Sequence, residues 1–466
     1  MLASAFKIIG ASILAFAVIW ALVLGWWQAN DHTPSTSELL LYLGALPVAV
    51  IGGYWLLRGF IEHVKAPPPA PVAAPLDTSD PLASEAARTA SRERGYTVGM
   101  IGASVLCGAG GSLELLEALA ADKRPTPDAQ LLDDDGFPVF AARAEALDVD
   151  DIGERLREHD AVLADALGNA DEPLRMLALI DAALPPALAQ AREQMVQGGP
   201  DAHLHLLWLL PAGIDASLIG RLQAWLGAQY LADIDPARLT LRLRHTPTEA
   251  AALQELDALV LATRGDPSPP DVSLVLAAAS AIGSATVQAW AARQALFSAT
   301  QQNAAIPGEC AVCLVFGDAP ASDPQVRLSR ISQGERDKSI VAAGRVSGAL
   351  TEQLIAGLLT IHDLEASSIQ AVVSDADHCQ RRGTELFDAL GEAFEAIVPG
   401  ESAHQVATAC GYAPPFGALL ALACAWEKSV ASMQPVLAIS QQHPTARAAA
   451  LLLPAPVPPD ASSVAT

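Results

Sequence analysis

The chain has 466 residues, about half of them apolar, and a formal charge of −24. Up to Ala70 the charges cancel, with Lys7, Arg58 and Lys65 against Asp31, Glu38 and Glu62, so the whole acidic excess lies beyond that residue. An acidic domain repels phosphate backbones and gains nothing from an anionic lipid surface, which argues against nucleic acid as a partner and leaves solubility as the plain role of the charge.

Residues 8–27 are twenty positions without a charge, and residues 39–57 are nineteen. A bilayer core about 30 Å thick needs roughly 20 apolar residues at a rise of about 1.5 Å each, so each stretch is long enough to span it. Trp26 and Trp27 close the first stretch, and Tyr54 and Trp55 lie near the end of the second. Such amphipathic rings favour the membrane–water interface. The expectation is a transmembrane hairpin over residues 1–65. Lys7 ahead of it, with Arg58 and Lys65 behind it, puts both outer ends in the cytoplasm and the polar residues 28–38 outside. A cleaved signal peptide is the competing reading, but its apolar region runs about 7–15 residues, and this stretch is longer.

Residues 66–81 read APPPAPVAAPLDTSDP, and proline at that density favours extended polyproline II. Residues 66–94 therefore read as a linker, whose end, 84–94, is either a short helix or more linker. Strands are then expected over 97–106, 138–144, 203–210, 239–243, 272–278, 311–316, 369–373, 435–439 and 448–453. Several are continuous apolar runs, as strands covered on both faces are. Helices are expected between them, over 113–121, 151–167, 172–197, 216–230, 248–259, 283–300, 351–360, 380–396 and 416–426. The alternation points to an α/β domain with a largely parallel sheet. A Pro-rich break at 265–270 divides it into halves, 95–265 and 266–455, with 456–466 a disordered tail.

Few residues advertise chemistry. Cys310 and Cys313 form a CxxC, but no second pair or nearby His pair completes a zinc site, and both lie in an apolar run that reads as a buried strand. The Gly-rich run from Gly102 to Gly111 matches neither a dinucleotide fingerprint nor a P-loop. Asp133, Asp134 and Asp135 read as a solvated turn, since a cation needs convergent ligands from elsewhere. His203 and His205 point to one side of a strand, without a visible third ligand. No cofactor or metal is expected.

Four segments resemble the thiolase-like superfamily, above all the β-ketoacyl synthases. VGMIGASVLCGAGGSLELLEALAADKRP resembles the synthase start, and LLDDDGFPVFAARAEALD is similar to the segment that comes next in those enzymes. IPGECAVCLVF looks like the PGE-G-A strand, and ACGYAPPFGALLALACAWE lies where synthases carry a GHxxxAAG stretch. The resemblance implies a five-layered α-β-α-β-α domain made of two similar halves, here behind two transmembrane helices. It also implies three catalytic positions: a cysteine at a helix start and two histidines. A thiolate there is activated by the helix N-terminus, and the imidazoles steady the enolate and oxyanion. In this chain all three depart from the pattern. The helix start reads RLRHTPTEAAALQ, with His245 and Thr248 nearest, the first His position holds Asp375, and the second holds Tyr412. Cys410, beside the Tyr412 position, and the neighbours His378 and Cys379 are candidates for a relocated nucleophile.

The implied function is a membrane-anchored, non-catalytic thiolase-like protein, a pseudoenzyme. The N-terminal anchor, Pro-rich linker and GYAPPFGALLALACAWE ending also resemble bacterial inner-membrane adaptors for type VI secretion lipase effectors. That would make the partner a secreted lipase, with the soluble domain cytoplasmic and a homodimer by family analogy. The alternatives are an acyltransferase or ketosynthase-like enzyme with a relocated active site, and a module that binds an acyl chain or acyl carrier.

Overall fold

The computed structural model describes residues 81–454 except 146, 263–270 and 318–325, and ahead of residue 81 only 20, 21, 23, 25–29, 42, 43 and 46. The stretches expected to cross a membrane, 8–27 and 39–57, lie mostly outside those residues, as do 66–80 and the tail 456–466. Among the described residues no helix is long and apolar enough to cross a membrane. The chain divides into two units, Met1–Ala87 and Arg88–Thr466, and the sheet belongs wholly to the second. The end of the expected linker is helical, as α1 (Pro81–Arg94). Pro81 stands at the first helical position, where its missing N–H is no loss, and the rest of the segment is rich in Ala, Glu and Arg, which favour helix.

Apolar runs become strands wherever both faces can be covered. The main strands of the first part are β1 (Thr97–Cys107), β4 (Leu204–Leu210), β5 (Leu239–His245), β6 (Val272–Ser280) and β7 (Glu309–Phe316), with β2 (Thr126–Leu132) and β3 (Pro138–Ala141) forming a separate hairpin. Those of the second part are β8 (Val326–Ser329), β9 (Ser332–Glu335), β10 (Ala371–Ser374), β11 (Ala403–Gln405), β12 (Val436–Ser440) and β13 (Ala446–Pro454). In β7 all eight positions are buried. Its side chains alternate: Cys310, Val312, Leu314 and Phe316 enter one core, and Ala311, Cys313 and Val315 another. The period of two does this without further instruction.

The strand order is β5-β4-β6-β7-β1 in the first part and β11-β10-β12-β13-β8 in the second. In each, the first three strands run parallel, and the fourth is antiparallel to both its neighbours. The same order and polarity occur twice, and β1 pairs antiparallel with β8 to join the two. This corrects two expectations. The sheet is mixed rather than largely parallel, because hairpin-like returns through β7 and β13 close each half. The halves also do not divide at 265–270: β6 and β7 complete the first sheet, so the second repeat starts at β8. The Pro-rich break falls inside a half and lies outside the described residues.

The helices cover the sheet in layers. Helices α3 (Val149–His159), α4 (Ala161–Leu167), α5 (Asp171–Gly198) and α6 (Ile219–Tyr230) bury Leu156, Leu163, Leu177 and Trp225 against one face of the first half-sheet. Helices α9 (Ala349–Ile361) and α10 (Gln380–Leu390) do the same for the outer face of the second. Between the half-sheets lie α2 (Ser112–Ala120), α7 (Glu249–Ala262) and α12 (Gly417–Ser432), whose Leu115, Leu256 and Leu419 share a core with residues of β1, β7, β10, β12 and β13. The expected helix 151–167 is two, because Asp160 caps the second with bonds from Val162 and Leu163 N–H. The expected helix 283–300 is α8 (Ser284–Ala292), and the chain after it runs as turns and bridges up to β7.

Candidate functional site

The N-terminus of α7 sits where the two halves meet. Thr246 is buried and donates its Oγ1 to Leu210 O at 3.1 Å, fixing the chain at the end of β4. Thr248 caps the helix, accepting from Ala251 N at 3.2 Å. The first helical residue is Glu249, only 3% exposed.

Tyr412 reaches this point from the other half. It comes after the short helix α11 (Ala407–Cys410) and Gly411, whose φ of +67° suits glycine. Its backbone is tied to the lead-in of β7, with Tyr412 N to Ile306 O at 2.8 Å and Gly308 N to Tyr412 O at 3.0 Å. A Cβ on Gly308 would stand 2.3 Å from Cys410 O, so the two strands of chain meet only because glycine is there. The Tyr412 hydroxyl donates a hydrogen bond to Glu249 Oε1. Burial first, and then the charge and hydrogen bond of Glu249, hold its phenol well above the usual range.

Asp375, fully buried at the end of β10, completes the group. It accepts from Ser440 Oγ at 2.7 Å, Gln441 N at 2.6 Å and Gln442 N at 3.0 Å. Burial nevertheless pushes its carboxyl up to about 6, and the charge of Glu249 adds to that rise. Beside these groups, the cavity lined by Leu253, Ala418, Leu422, Ala438 and Ser440 has a volume of about 10 Å³. That is room for about one water, against roughly 300–1,000 Å³ for a small-molecule pocket.

Of the three positions marked in the sequence, the structure brings Asp375 and Tyr412 together and leaves His245 out. His245 ends β5 and is exposed. It contributes only the last of the causes that lower the Asp215 carboxyl, after the hydrogen bonds of Ser217. Glu249, four residues on, is the buried group that the sequence reading missed. The signal was present in Pro247 and Thr248, which mark a capped helix start one residue later.

The cysteine candidates are all buried. Cys410 donates to Val406 O at 3.1 Å, and hydrogen bonding with Cys107 and then burial raise its thiol. His378 turns to Gln302 O at 3.0 Å and to the Phe297 ring, whereas Cys379 is buried, so these neighbours diverge. Cys310 and Cys313 face different cores, and burial raises both thiols. The rings of His203 and His205 lie tilted at 38° with centroids 4.6 Å apart, bonded to Thr240 and Asp271 respectively. Among the described residues no three His, Cys, Asp or Glu side chains converge to hold a metal ion. Asp133 accepts from Asp135 and Phe137 N–H, which makes the acidic run a turn.

No family model matches the sequence, and no curated protein matches it either. Solved structures do. A type II PKS acyl-carrier protein in complex with its ketosynthase bound to the hexaketide (AntDE:AntF) is similar at TM-score 0.51 and 12% identity, over 78% of this chain and 100% of that one. This is a thiolase-like fold. The ishigamide ketosynthase/chain length factor covers the same shares at 16% identity and TM-score 0.47. The oxazolomycin ketosynthase domain of Streptomyces albus is 12% identical at TM-score 0.49, over 78% of this chain and 76% of that one. At such identities the likeness speaks for the fold alone. Within the thiolase-like frame, the Glu of PGE is also accounted for. Glu309, fully buried, is met by Arg175 through Nε at 2.8 Å, by Ser280 Oγ at 2.8 Å and by Ala144 N at 2.7 Å.

Proposed function

We propose that this chain is a membrane-tethered thiolase-like protein that performs no condensation and holds a protein partner, acting as an adaptor or scaffold. The observation that carries the reading is the Glu249–Tyr412–Asp375 group. A condensing site needs a thiolate and hydrogen-bond donors aimed at developing negative charge. Here the group where the halves meet consists of two carboxyl groups and a phenol already bonded to one of them. A carboxylate donates no hydrogen bond and repels the charge that must build up. The cavity of about 10 Å³ lined by Leu253, Ala418 and Ser440 has room for about one water. The tether is supported by the uncharged stretches 8–27 and 39–57, and the finer identity, an adaptor for a type VI secretion lipase effector at the bacterial inner membrane, by the resemblance in layout and ending.

The test is purification of the detergent-extracted chain, with mass spectrometry of what comes with it. A secreted lipase or another protein of the same secretion apparatus is expected, retained by Glu249→Gln and Tyr412→Phe variants. Recovery of an acyl carrier protein instead would contradict the adaptor reading. Reporter fusions after Ala74 should behave as cytoplasmic. Alkaline phosphatase activity there would move the domain across the membrane.

A further inference from the structure

Three arginines gather around one acid in the second half. Glu385, fully buried on α10, takes two bonds of 2.8 Å from Arg447 of β13, through Nε and Nη2. Arg447 is buried too, and its Nη1 is spent on the carbonyl oxygens of His443 and Ala446. One fork of this kind answers a carboxylate. Arg336 adds a single contact of 3.3 Å from Nη1 to Glu385 Oε2, with its side chain only 13% exposed. Among the described residues that is its one side-chain hydrogen bond, so Nε and Nη2 form an open fork.

Arg381, at the start of α10, is the third. Its Nε donates to Ile340 O at 2.6 Å, and its Nη2 to Ala342 O at 2.7 Å and Gly344 O at 3.2 Å. It therefore meets carbonyl groups and, among the described residues, no carboxylate. These bonds fix the segment between β9 and α9, which is also held by Arg336 N to Thr445 O at 3.0 Å and Ile340 N to Pro444 O at 2.8 Å. The arginines act on one another: burial first, and then the charges of Arg447 and Arg381, lower the Arg336 guanidinium against the opposite pull of Glu385. Neighbouring acids do not redress the excess. Glu335 is exposed and accepts from Thr445 Oγ1 at 3.0 Å. Asp388 accepts from Gly348 N at 2.8 Å and faces Arg345 at 3.7 Å. Asp337 is exposed beside an equally exposed Lys338, which offsets it.

Three guanidinium groups against one carboxylate leave two positive charges over, in a chain whose net charge is −24. Half-buried charge without a counter-charge is costly, and guanidinium forks take phosphate oxygens in pairs. We propose that Arg336 and Arg381 form a binding site for a dianionic phosphate group, free or as a small monoester. The open fork of Arg336 takes two phosphate oxygens, and Arg381 supplies the second charge from a segment that its own carbonyl bonds hold in place. A single carboxylate answers only one of the two charges. The site goes beyond the adaptor reading, and neither depends on the other.

The full chain in detergent is titrated by calorimetry, at constant ionic strength, with inorganic phosphate, glycerol 3-phosphate and acetate. Both phosphates should bind with a Kd of about 1 mM or tighter, and acetate at least about tenfold more weakly. Tighter glycerol 3-phosphate assigns the site to a monoester; equal or tighter inorganic phosphate assigns it to the free ion. Arg336→Gln should weaken the phosphates by about tenfold or more, while Arg447 still holds Glu385 and the fold. Arg336→Lys, which keeps the charge and loses the fork, should fall between wild type and Arg336→Gln. Arg157→Gln, which removes an exposed arginine of α3, should change nothing. No binding of either phosphate, acetate as tight as phosphate, unchanged affinity in both Arg336 variants, or an equal loss in Arg157→Gln would each overturn the assignment.

Discussion

Two pairs of buried acids in this molecule are treated in opposite ways. Glu309 in the first half and Glu385 in the second are fully buried and met by arginine: Arg175 bonds Glu309, and Arg447 bonds Glu385 through two bonds of 2.8 Å, with Arg336 at 3.3 Å. Glu249 and Asp375, where the halves meet, have hydrogen bonds from hydroxyl and amide groups but no bonded cation among the described residues. The first pair is structural, since charge and geometry are both answered within the fold. In the second, burial first, and then the charge of Glu249, raises the Asp375 carboxyl to about 6. Burial alone therefore does not say what a carboxylate is for; its partners do.

The largest expected effect falls on the paired acids. Arg447→Leu leaves Glu385 with only the longer Arg336 contact and should destabilise the fold by about 3–5 kcal/mol in urea titrations. A loss under about 1 kcal/mol would erase the contrast between the two pairs. The next effect has the opposite sign. Because the folded pKa of Asp375 is raised above its unfolded value, the folded state binds that proton more tightly. The group's contribution is thus most favourable below about 4 and is lost as pH rises through about 6. Asp375→Asn should therefore be more stable than wild type at pH 8, by an amount on the order of 2–3 kcal/mol, and the gap should close as pH falls through 6. A variant less stable than wild type at every pH would show that the three hydrogen bonds, not the charge, dominate. The smallest effect is expected from Tyr412→Phe. It strips one donor from Glu249 and should cost about 1–3 kcal/mol, seen as a lower unfolding midpoint. An unchanged midpoint would mean that the bond adds nothing to the joint between halves.

Much of the fold was legible in the chain. Every strand expected from an apolar run is present, because buried strands need little more than such a run. The strands that were missed are short or polar: β9 is SQGE, β11 is AHQ, and β2 exposes most of its residues. Their pairing is decided by distant neighbours, such as Ala446 to Pro454 for β9, which no local pattern encodes. The site was half legible. Asp375 and Tyr412 are marked by their place after a strand and within GYAPPFG. Glu249 escaped because His245 is the more conspicuous side chain, whereas the cap at Thr248 is what fixes the helix start. The convergence of Cys107, Cys310 and Cys410 in one core was also unreadable, since it depends on the pairing of β1 with β7 and on the return of α11.

If the joint between the halves carries no condensing chemistry, the purified chain should stay unmodified by activated acyl groups. The most direct test is incubation with radiolabelled acyl-CoA and acyl-carrier-protein thioesters, then denaturing electrophoresis and product analysis. Neither a covalent acyl-protein adduct nor an elongated product is expected from wild type. An adduct that forms on wild type and disappears with Cys410→Ala or Cys379→Ala would contradict the account and identify a working nucleophile.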